Sequence, residues 1–300
     1  MTEHQKNKGK LIVLAGPTAV GKTALAIELA KHFSTEIISC DSRQIYKELS
    51  IGVARPSEDE LSQIKHHFIA SNSIHDEYDA GIYAKEVNSL LDELFKKHEV
   101  VIMTGGTGLY ARAATQGLDL LPPKDEKLRE QLGVIVDSEG LEAVQAIATS
   151  LGLKPETVDF TNPQRIIRAI EIAQGTPEDS DSEKIEINYN TSYYYINRDR
   201  AELYNRINKR VDIMMDQGFE KEAKSVYAYR KLNALNTVGY KEMFQYFDGE
   251  WTKAHAIEKM KQHTRNYAKR QLTWFRNQDG YTEVSPSLDE ILLRLKQEEY

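Results

Sequence analysis

The stretch KLIVLAGPTAVGKT, residues 10 to 23, decides the fold. Its apolar run, Lys10–Ala15, predicts a short buried strand. The residues that follow the glycine-rich part, Lys22–Phe33, predict a helix with Leu25 and Leu29 four residues apart on one face. Between strand and helix lies GPTAVGKT, which matches the Walker A pattern in the context that its mechanism requires. The stretch therefore predicts a P-loop at the end of the first strand.

A P-loop binds phosphate because its glycines let backbone N–H groups wrap the anion, and because the following helix adds the positive end of its dipole. Lys22 is expected to reach the terminal phosphates, and the Thr23 hydroxyl is expected to coordinate magnesium. A glycine-rich turn with a chance lysine is the alternative, which the flanking strand and helix disfavour. We expect the phosphate to be bound by the eight residues of the motif: Gly16, Pro17, Thr18, Ala19, Val20, Gly21, Lys22 and Thr23.

The segments after the P-loop alternate between predicted strands and helices. Apolar runs at Glu36–Cys40 and Glu99–Thr104 predict two more strands, and a helix is predicted between them, with apolar positions from Tyr83 to Leu94. Because this alternation implies parallel pairing, the predicted fold is an α/β, P-loop NTPase-like parallel sheet flanked by helices. Ligands of such sheets bind at the carboxyl ends of the strands.

A mainly helical insertion domain is predicted at residues 119–191, between two parts of the P-loop core at 1–118 and 192–300. It contains a helix that starts at Asn162-Pro163, because asparagine is a good N-cap and proline suits the first helical position. A polar linker, TPEDSDSEK, follows at 176–184.

After the insertion the sequence returns to the core. Ser192–Asn197 predicts a strand, and Asp199 with Glu202 three residues on resembles a capping box that opens a helix. Gly218 marks the end of that helix, and Tyr281–Val284 predicts a last strand.

The bulk composition excludes several classes of protein. The 300-residue chain has 40% hydrophobic and 28% charged residues, which is typical of a folded globular protein. A single cysteine, Cys40, excludes an internal disulfide and a cysteine-built zinc site, and we expect it to be buried and inert. No apolar run is long enough to cross a bilayer, and the N-terminal segment lacks the apolar region of a secretory signal. We expect a cytoplasmic protein without membrane contact.

Asp41 is the candidate for chemistry beside the P-loop. The run Glu99–Thr104 ends in threonine and GGTG, where a Walker B strand would end in a magnesium-binding aspartate. The nearest acid at a strand end is Asp41, which is placed to accept a proton from an incoming nucleophile or to hold the metal. A helix cap or a structural carboxylate is the alternative, because caps commonly use aspartate.

A net charge of −7 requires any nucleic-acid site to be a local basic patch. Lys259–Arg276 holds six lysines and arginines and no acid, so it predicts either a surface for RNA or phosphate or a solvated helix. Arg165 and Arg168 lie three residues apart and are either a similar contact or a solvated charged face. His66-His67 lacks neighbouring ligands at metal spacing, so we expect a structural role.

Seven motifs, taken in this order, resemble the bacterial tRNA dimethylallyltransferases, also called tRNA isopentenyltransferases. They are GPTAVGKT (16–23), CDSRQIYKELSIG (40–52), GGTGLY (105–110), NPQRIIRAIE (162–171), RAELYNRINKRV (200–211), VGYKE (238–242) and AKRQLTWFR (268–276). They span almost the entire chain, and their conjunction is specific even though the P-loop alone is not. The resemblance implies transfer of a dimethylallyl group from its diphosphate to the exocyclic amine of the adenine 3′-adjacent to the anticodon. Magnesium is the implied cofactor, and diphosphate leaves.

The resemblance also implies roles for individual residues. The P-loop would hold dimethylallyl diphosphate, with Lys22 and Thr23 catalytic beside Asp41, which matches the general base on the adenine amine. The helical insertion matches the family's grip on the tRNA anticodon arm, and we expect a monomer. The implied tRNA contacts are Asp41, Ser42, Arg43, Gln44, Thr107, Arg129, Gln164, Arg165, Ile166, Ile167 and Arg168.

The sequence departs from the family pattern at Val53 and Arg55, where threonine and lysine are typical, and we assign neither residue a role. Two other functions compete with tRNA prenylation. One is a small-molecule kinase of the shikimate or gluconate type, which the helical insertion and the long basic C-terminal part disfavour. The other is a nucleotide-controlled switch or RNA-binding module without chemistry, which the missing Walker B aspartate disfavours.

Overall fold

The protein is described by a computed structural model that covers residues 9–118, 121–122, 124–175 and 188–298. The strands are β1 (Lys10–Ala15), β2 (Ile37–Ser39), β3 (His66–His67), β4 (Val100–Gly105), β5 (Asn190–Ile196) and β6 (Tyr281–Val284). They form one six-stranded sheet in the order β3-β2-β4-β1-β5-β6, in which every pair of neighbours is parallel. The predicted α/β class with a parallel, P-loop NTPase-like sheet is confirmed.

Twelve helices accompany the sheet within the described residues. They are α1 (Lys22–His32), α2 (Glu58–Gln63), α3 (Ala80–Leu94), α4 (Gly108–Gln116), α5 (Glu126–Glu139), α6 (Leu141–Ser150), α7 (Pro163–Gln174), α8 (Arg200–Asp216), α9 (Phe219–Val226), α10 (Tyr240–Phe247), α11 (Lys253–Arg276) and α12 (Leu288–Glu298). None of them is both long enough and apolar enough to cross a membrane.

Four elements differ from what the sequence predicts: three are not predicted, and one has a different start. The short helices α2 and α4 and the two-residue strand β3 have too few residues to show a periodic pattern, so sequence periodicity does not find them. In β3, His67 hydrogen-bonds the carboxylate of Glu36 at 2.5 Å, which ties this pair to the edge of the sheet. Strand β5 begins at Asn190, two residues before the predicted strand.

Strand β1 lies at the centre because its sequence is apolar on both faces. The side chains of Leu11, Ile12, Val13 and Leu14 are fully buried. Lys10 pairs with Val100 of β4 on one side and with Asn190 of β5 on the other. In a parallel sheet, helices cover both faces, so a central strand is expected to be apolar on both faces.

The carboxyl ends of four neighbouring strands meet at one edge of the sheet. Strand β2 leads to Cys40 and Asp41, β4 to Gly106, β1 to Gly16 and β5 to Arg198. Because all four strands are parallel, their loops gather at one end and define a cleft there.

The described residues divide into two compact units, one within Met1–Gly117 and Ile187–Tyr300, the other within Leu118–Glu186. The second unit packs α5, α6 and α7 around a small apolar core formed by Leu132, Val144, Ala148, Ile166 and Ile170. The predicted linker at 176–184 lies outside the described residues. The predicted domain boundaries, and the grip of this unit on tRNA, stay predictions.

Candidate active site

The P-loop joins β1 to α1 in a tight turn with two unusual backbone angles. Gly16 has φ 150°, and a Cβ there would lie 3.0 Å from the carbonyl oxygen of Ile196, so the position favours glycine. Ala19 has φ 65°, a left-handed conformation that is unfavourable for a residue with a side chain. Such strain is common at ligand-binding loops, where the surrounding structure holds it in place. The loop is therefore preformed rather than adaptable.

Lys22 is folded back over the loop that carries it. Its Nζ donates to the carbonyl oxygens of Gly16 at 2.9 Å and of Pro17 at 2.8 Å. Burial lowers the pKa of Lys22 to about 8, although the nearby charge of Asp41 acts in the opposite direction. An anion in the loop would replace the two carbonyl oxygens as acceptor and would favour the charged ammonium.

Three arginines that the sequence does not predict surround the P-loop. Arg198 follows β5 and donates from Nε to the carbonyl oxygen of Val20 at 2.7 Å. Arg206, on α8, donates from Nε to the carbonyl oxygen of Ala19 at 2.7 Å. Arg210, one turn further along the helix, lies 3.3 Å from the hydroxyl of Thr18. The signal for the two helical arginines was present, because they lie four residues apart in the RAELYNRINKRV motif.

The cations around the loop repel one another in the absence of an anion. Burial lowers the pKa of Arg210, and the charge of Arg206 lowers it further. The charge of Arg210 in turn contributes to the lowered pKa of Lys22. An arrangement of like charges is stabilised when a polyanion neutralises them. The P-loop with these cations is therefore suited to a diphosphate.

Asp41 lies on the other side of the cleft, in a tight turn after β2. Its Oδ1 accepts the backbone N–H of Arg43 at 3.0 Å, and its side chain is half-buried. The hydroxyl of Thr107 accepts the backbone N–H of Ser42 at 3.0 Å and donates to the Ser42 hydroxyl at 3.2 Å. Three of the predicted site residues, Asp41, Ser42 and Thr107, are thus adjacent.

Arg43 and Gln44 have protein partners in this structure. Arg43 donates from Nη1 to the carbonyl oxygen of Asn233 at 2.8 Å. Gln44 donates from Nε2 to the carbonyl oxygens of Val53 at 3.3 Å and Ala54 at 3.0 Å, so it holds the turn that follows. Arg55 donates from Nη2 to the carbonyl oxygens of Lys47 and Leu49. Its side chain therefore stabilises the loop.

The basic stretch Lys259–Arg276 lies within α11, and its cations differ in their partners. Lys261 pairs with Asp212 at 2.8 Å, and Arg265 hydrogen-bonds Asn208 at 2.6 Å. Arg270 lies over the ring of Tyr267, 5.7 Å from its centroid. The side-chain oxygen of Gln271, in the same stretch, accepts the backbone N–H of Thr18 in the P-loop at 3.0 Å. This part of α11 therefore borders the cleft.

In the helical unit, the predicted tRNA contacts divide into buried and exposed positions. The side chain of Ile166 is completely buried and packs in the three-helix core, and Ile167 packs against that core. Arg129 and Arg168 both bind the buried carboxylate of Glu171. Gln164 is exposed, and the side chain of Arg165, 67% exposed, pairs with Asp159. RNA contact by these residues stays a prediction.

Comparison with known proteins shows the same chain organisation elsewhere. A family described as IPP transferase matches residues 44–278. The chain is 45% identical over 290 residues to tRNA dimethylallyltransferase 1 of Bacteroides fragilis. The alignment covers 94% of this chain and 96% of that protein. It is 47% identical over 273 residues to the tRNA dimethylallyltransferase of Christiangramia forsetii, covering 89% and 90%.

Two solved structures extend the likeness to the fold. The full-length tRNA isopentenylpyrophosphate transferase from Bacillus halodurans aligns with a TM-score of 0.71 at 33% identity, covering 97% of this chain and 95% of that one. The tRNA isopentenylpyrophosphate transferase from Staphylococcus epidermidis aligns with a TM-score of 0.69 at 31% identity, covering 97% and 100%.

Proposed function

The chain belongs to the IPP transferase family, and from this premise we propose how it transfers a dimethylallyl group from dimethylallyl diphosphate to tRNA. The proposed acceptor is the exocyclic amine of the adenine 3′-adjacent to the anticodon. This acceptor is implied by the family resemblance that the seven motifs carry.

The P-loop holds the diphosphate of the donor. Backbone N–H groups at the start of α1 supply the first contacts, and Lys22 turns from the carbonyl oxygens of Gly16 and Pro17 toward the anion. The guanidinium groups of Arg206 and Arg210 add positive charge beside the loop. Diphosphate gains negative charge as it leaves, so these cations stabilise the transition state more than the bound donor.

Asp41 acts as general base in this proposal. The amine nitrogen forms a bond to the first carbon of the dimethylallyl group while the carbon–oxygen bond to diphosphate breaks. The amine proton passes to the carboxylate of Asp41, and the bonding electrons leave with the diphosphate. The hydrogen bond from the Arg43 N–H fixes one carboxylate oxygen and so orients the side chain.

Magnesium is the proposed metal, and Thr23 is its proposed protein ligand. Among the described residues there is no group of three or more histidine, cysteine, aspartate or glutamate side chains that could enclose a metal. That finding fits a magnesium ion, which is often bound through few protein oxygens together with substrate phosphates and water. When bound, the ion would offset part of the charge on the diphosphate.

The helical unit within Leu118–Glu186 is the proposed grip on the anticodon arm of tRNA, with Arg165 as its most exposed cation among the predicted contacts. We place the activity in the cytoplasm, where unmodified tRNA is available, and we propose that the chain acts as a monomer. The helical unit gives the protein a surface that a small-molecule kinase does not need.

One observation carries the proposal: the P-loop with its cations and Asp41 lie at the same edge of the sheet. The strand β4 between them ends without the aspartate of a Walker B motif. The direct test is transfer of radiolabelled dimethylallyl diphosphate to unmodified bulk tRNA by the purified chain with magnesium. We expect label in tRNA. A thermal-shift series with ATP, GTP and dimethylallyl diphosphate tests the kinase alternative, because a kinase would be stabilised most by ATP.

A further inference from the structure

Gln271 is a buried polar residue that the reaction described above does not use. It lies in α11, and only 7% of its surface is exposed. Burying an amide is unfavourable unless its oxygen and its nitrogen both find partners. Both do: Oε1 accepts the backbone N–H of Thr18 at 3.0 Å, and Nε2 donates to the carbonyl oxygen of Gly106 at 2.8 Å. Gln271 therefore bridges two loops that are far apart in sequence.

The two loops follow the neighbouring strands β1 and β4, and a Cβ at Gly106 would lie 3.7 Å from the carbonyl oxygen of Gly16. Thr18 is part of the P-loop, which holds the donor. Gly106 precedes Thr107, whose hydroxyl is bonded to Ser42 next to Asp41. Gln271 therefore links the donor loop to Gly106, and the next residue along the chain, Thr107, is hydrogen-bonded to the segment that contains Asp41.

The glycine loop is shaped to receive α11. A Cβ at Gly106 would lie 2.4 Å from Nε2 of Gln271, and a Cβ at Gly108 would lie 2.2 Å from the ring of Trp274. Neither position has room for a side chain, so the loop lies directly against the helix.

We propose that Gln271 is a positioning residue, whose amide sets the spacing between the donor held by the P-loop and the acceptor held beside Asp41. This inference rests on the proposed function. Bond formation between two bound molecules is sensitive to geometry, and a misplacement of about 1 Å can cost about 100-fold in rate. A side chain that is hydrogen-bonded to both loops, as Gln271 is, can keep the distance between them fixed.

The first test replaces Gln271 by methionine, which has nearly the same shape and neither hydrogen bond. We expect the single-turnover rate at saturating tRNA and donor to fall about 10- to 100-fold. The dissociation constant for tRNA should stay within about threefold of wild type, because Gln271 is buried away from bulk solvent. The matched control is Gln217→Met, the same change at an exposed position at the end of α8, and it should leave the rate unchanged.

The second test is Gln271→Glu, which separates positioning from packing. An ionised carboxylate can accept the Thr18 N–H but has no proton for the Gly106 oxygen. A protonated carboxyl restores both bonds, and burial favours the protonated form. The rate of this variant, divided by that of wild type, should therefore rise at least about fivefold between about pH 8 and about pH 6.

The outcomes are distinct. A Gln271→Met enzyme with a normal single-turnover rate, whatever its melting temperature, overturns the proposal, and so does a Gln271→Glu ratio that is flat with pH. Circular dichroism at the assay temperature confirms that each variant is folded. If the wild-type chain transfers no dimethylallyl group at all, the proposed function fails instead, and the failure is recognised before any variant is made.

Discussion

Arg129 and Glu171 form a two-point ion pair, in which Nε and Nη2 of the arginine lie 2.8 and 2.9 Å from the two oxygens of an almost completely buried carboxylate. Arg168 also binds this carboxylate, and the backbone N–H of Asp125 donates to it at 2.6 Å. Two arginines that the family resemblance places at the tRNA are therefore also counter-charges within the helical unit. If they also contact tRNA, their substitution has two effects, which must be measured separately.

Arg168→Ala should destabilise the helical unit by roughly 3 kcal/mol, since removal of one partner leaves a buried charge less compensated. Arg165→Ala should change stability by less than about 0.5 kcal/mol, because its partner Asp159 is at the surface. Hydrogen exchange in peptides of α5 and α7 is the suitable measurement, since both tryptophans, Trp251 and Trp274, lie outside this unit. Equal protection in the two variants would contradict the structural role of Arg168.

The same pair of variants tests tRNA binding. If Arg165 contacts a phosphate, Arg165→Ala should weaken tRNA binding and reduce the slope of log affinity against log salt by about one. Donor affinity should not change. Normal tRNA affinity and an unchanged salt slope would contradict this contact and would mean that Arg165 lies on a solvated helix face.

The stability of the helical unit should depend on acid pH through Glu171. Burial alone would raise the pKa of this carboxyl, but hydrogen bonds from Arg129, Arg168 and the Asp125 N–H outweigh burial and lower it from 4.5 to about 2. Since the folded pKa is the lower one, the stabilisation is complete above pH 4.5 and is lost as pH falls toward 2. The protection factors for hydrogen exchange in α7, which correct for the pH dependence of the intrinsic exchange rate, should fall over that range in the wild type. Glu171→Gln should remove that part of the pH dependence, and a variant as acid-sensitive as wild type would contradict the assignment.

Donor binding should weaken at alkaline pH because of Lys22. Because the pKa of Lys22 is about 8, the ammonium loses its proton as the pH rises through that value. A neutral amine binds diphosphate poorly. Calorimetric titration with dimethylallyl diphosphate should show affinity falling by up to about tenfold per pH unit above that value. Lys22→Met should bind about 10- to 100-fold more weakly, the loss of a charged hydrogen bond, with a flat profile. Lys31→Met, an exposed position on the same helix, is the control and should retain the wild-type profile.

Arg206→Gln should weaken binding of dimethylallyl diphosphate about tenfold and lower the single-turnover rate, because it removes a cation beside Ala19. Lys209→Gln is the matched control, since it removes one positive charge from an exposed position of the same helix. Equal losses in the two variants would mean that the general charge of α8 matters and that the position of Arg206 does not.

Asp41→Asn should reduce the single-turnover rate by about 10²–10⁴, the usual contribution of a general base. Asparagine retains an oxygen that can accept the Arg43 N–H, so the turn after β2 should be preserved. The affinities for tRNA and donor should therefore stay within a few-fold of wild type. Loss of magnesium-dependent donor binding instead would assign Asp41 to metal support, and a normal rate would leave it a structural turn residue.

The sequence by itself determined the class of the sheet, the P-loop and the family. These properties are local, since Lys10–Thr23 contains the strand, the glycines and the helix start together, and the burial of Leu11–Leu14 follows from an uninterrupted apolar run. Asp41 and Thr107 were also within reach of sequence reasoning, because the carboxyl ends of parallel strands meet at one edge.

Only the tertiary structure decided which distant side chains complete the cleft. Arg206 reaches the P-loop across 187 residues of chain, and Gln271 reaches it across 253 residues. The spacing of Arg206 and Arg210 shows that they share a helix face, but it does not show which loop that face contacts, and the same holds for Gln271. The tertiary structure also decided that Arg168 binds a buried glutamate while Arg165, three residues earlier, stays at the surface. The physical reason is that periodicity fixes the face of a helix on which a side chain lies, whereas the partner of that face is fixed by packing between elements that are remote in sequence.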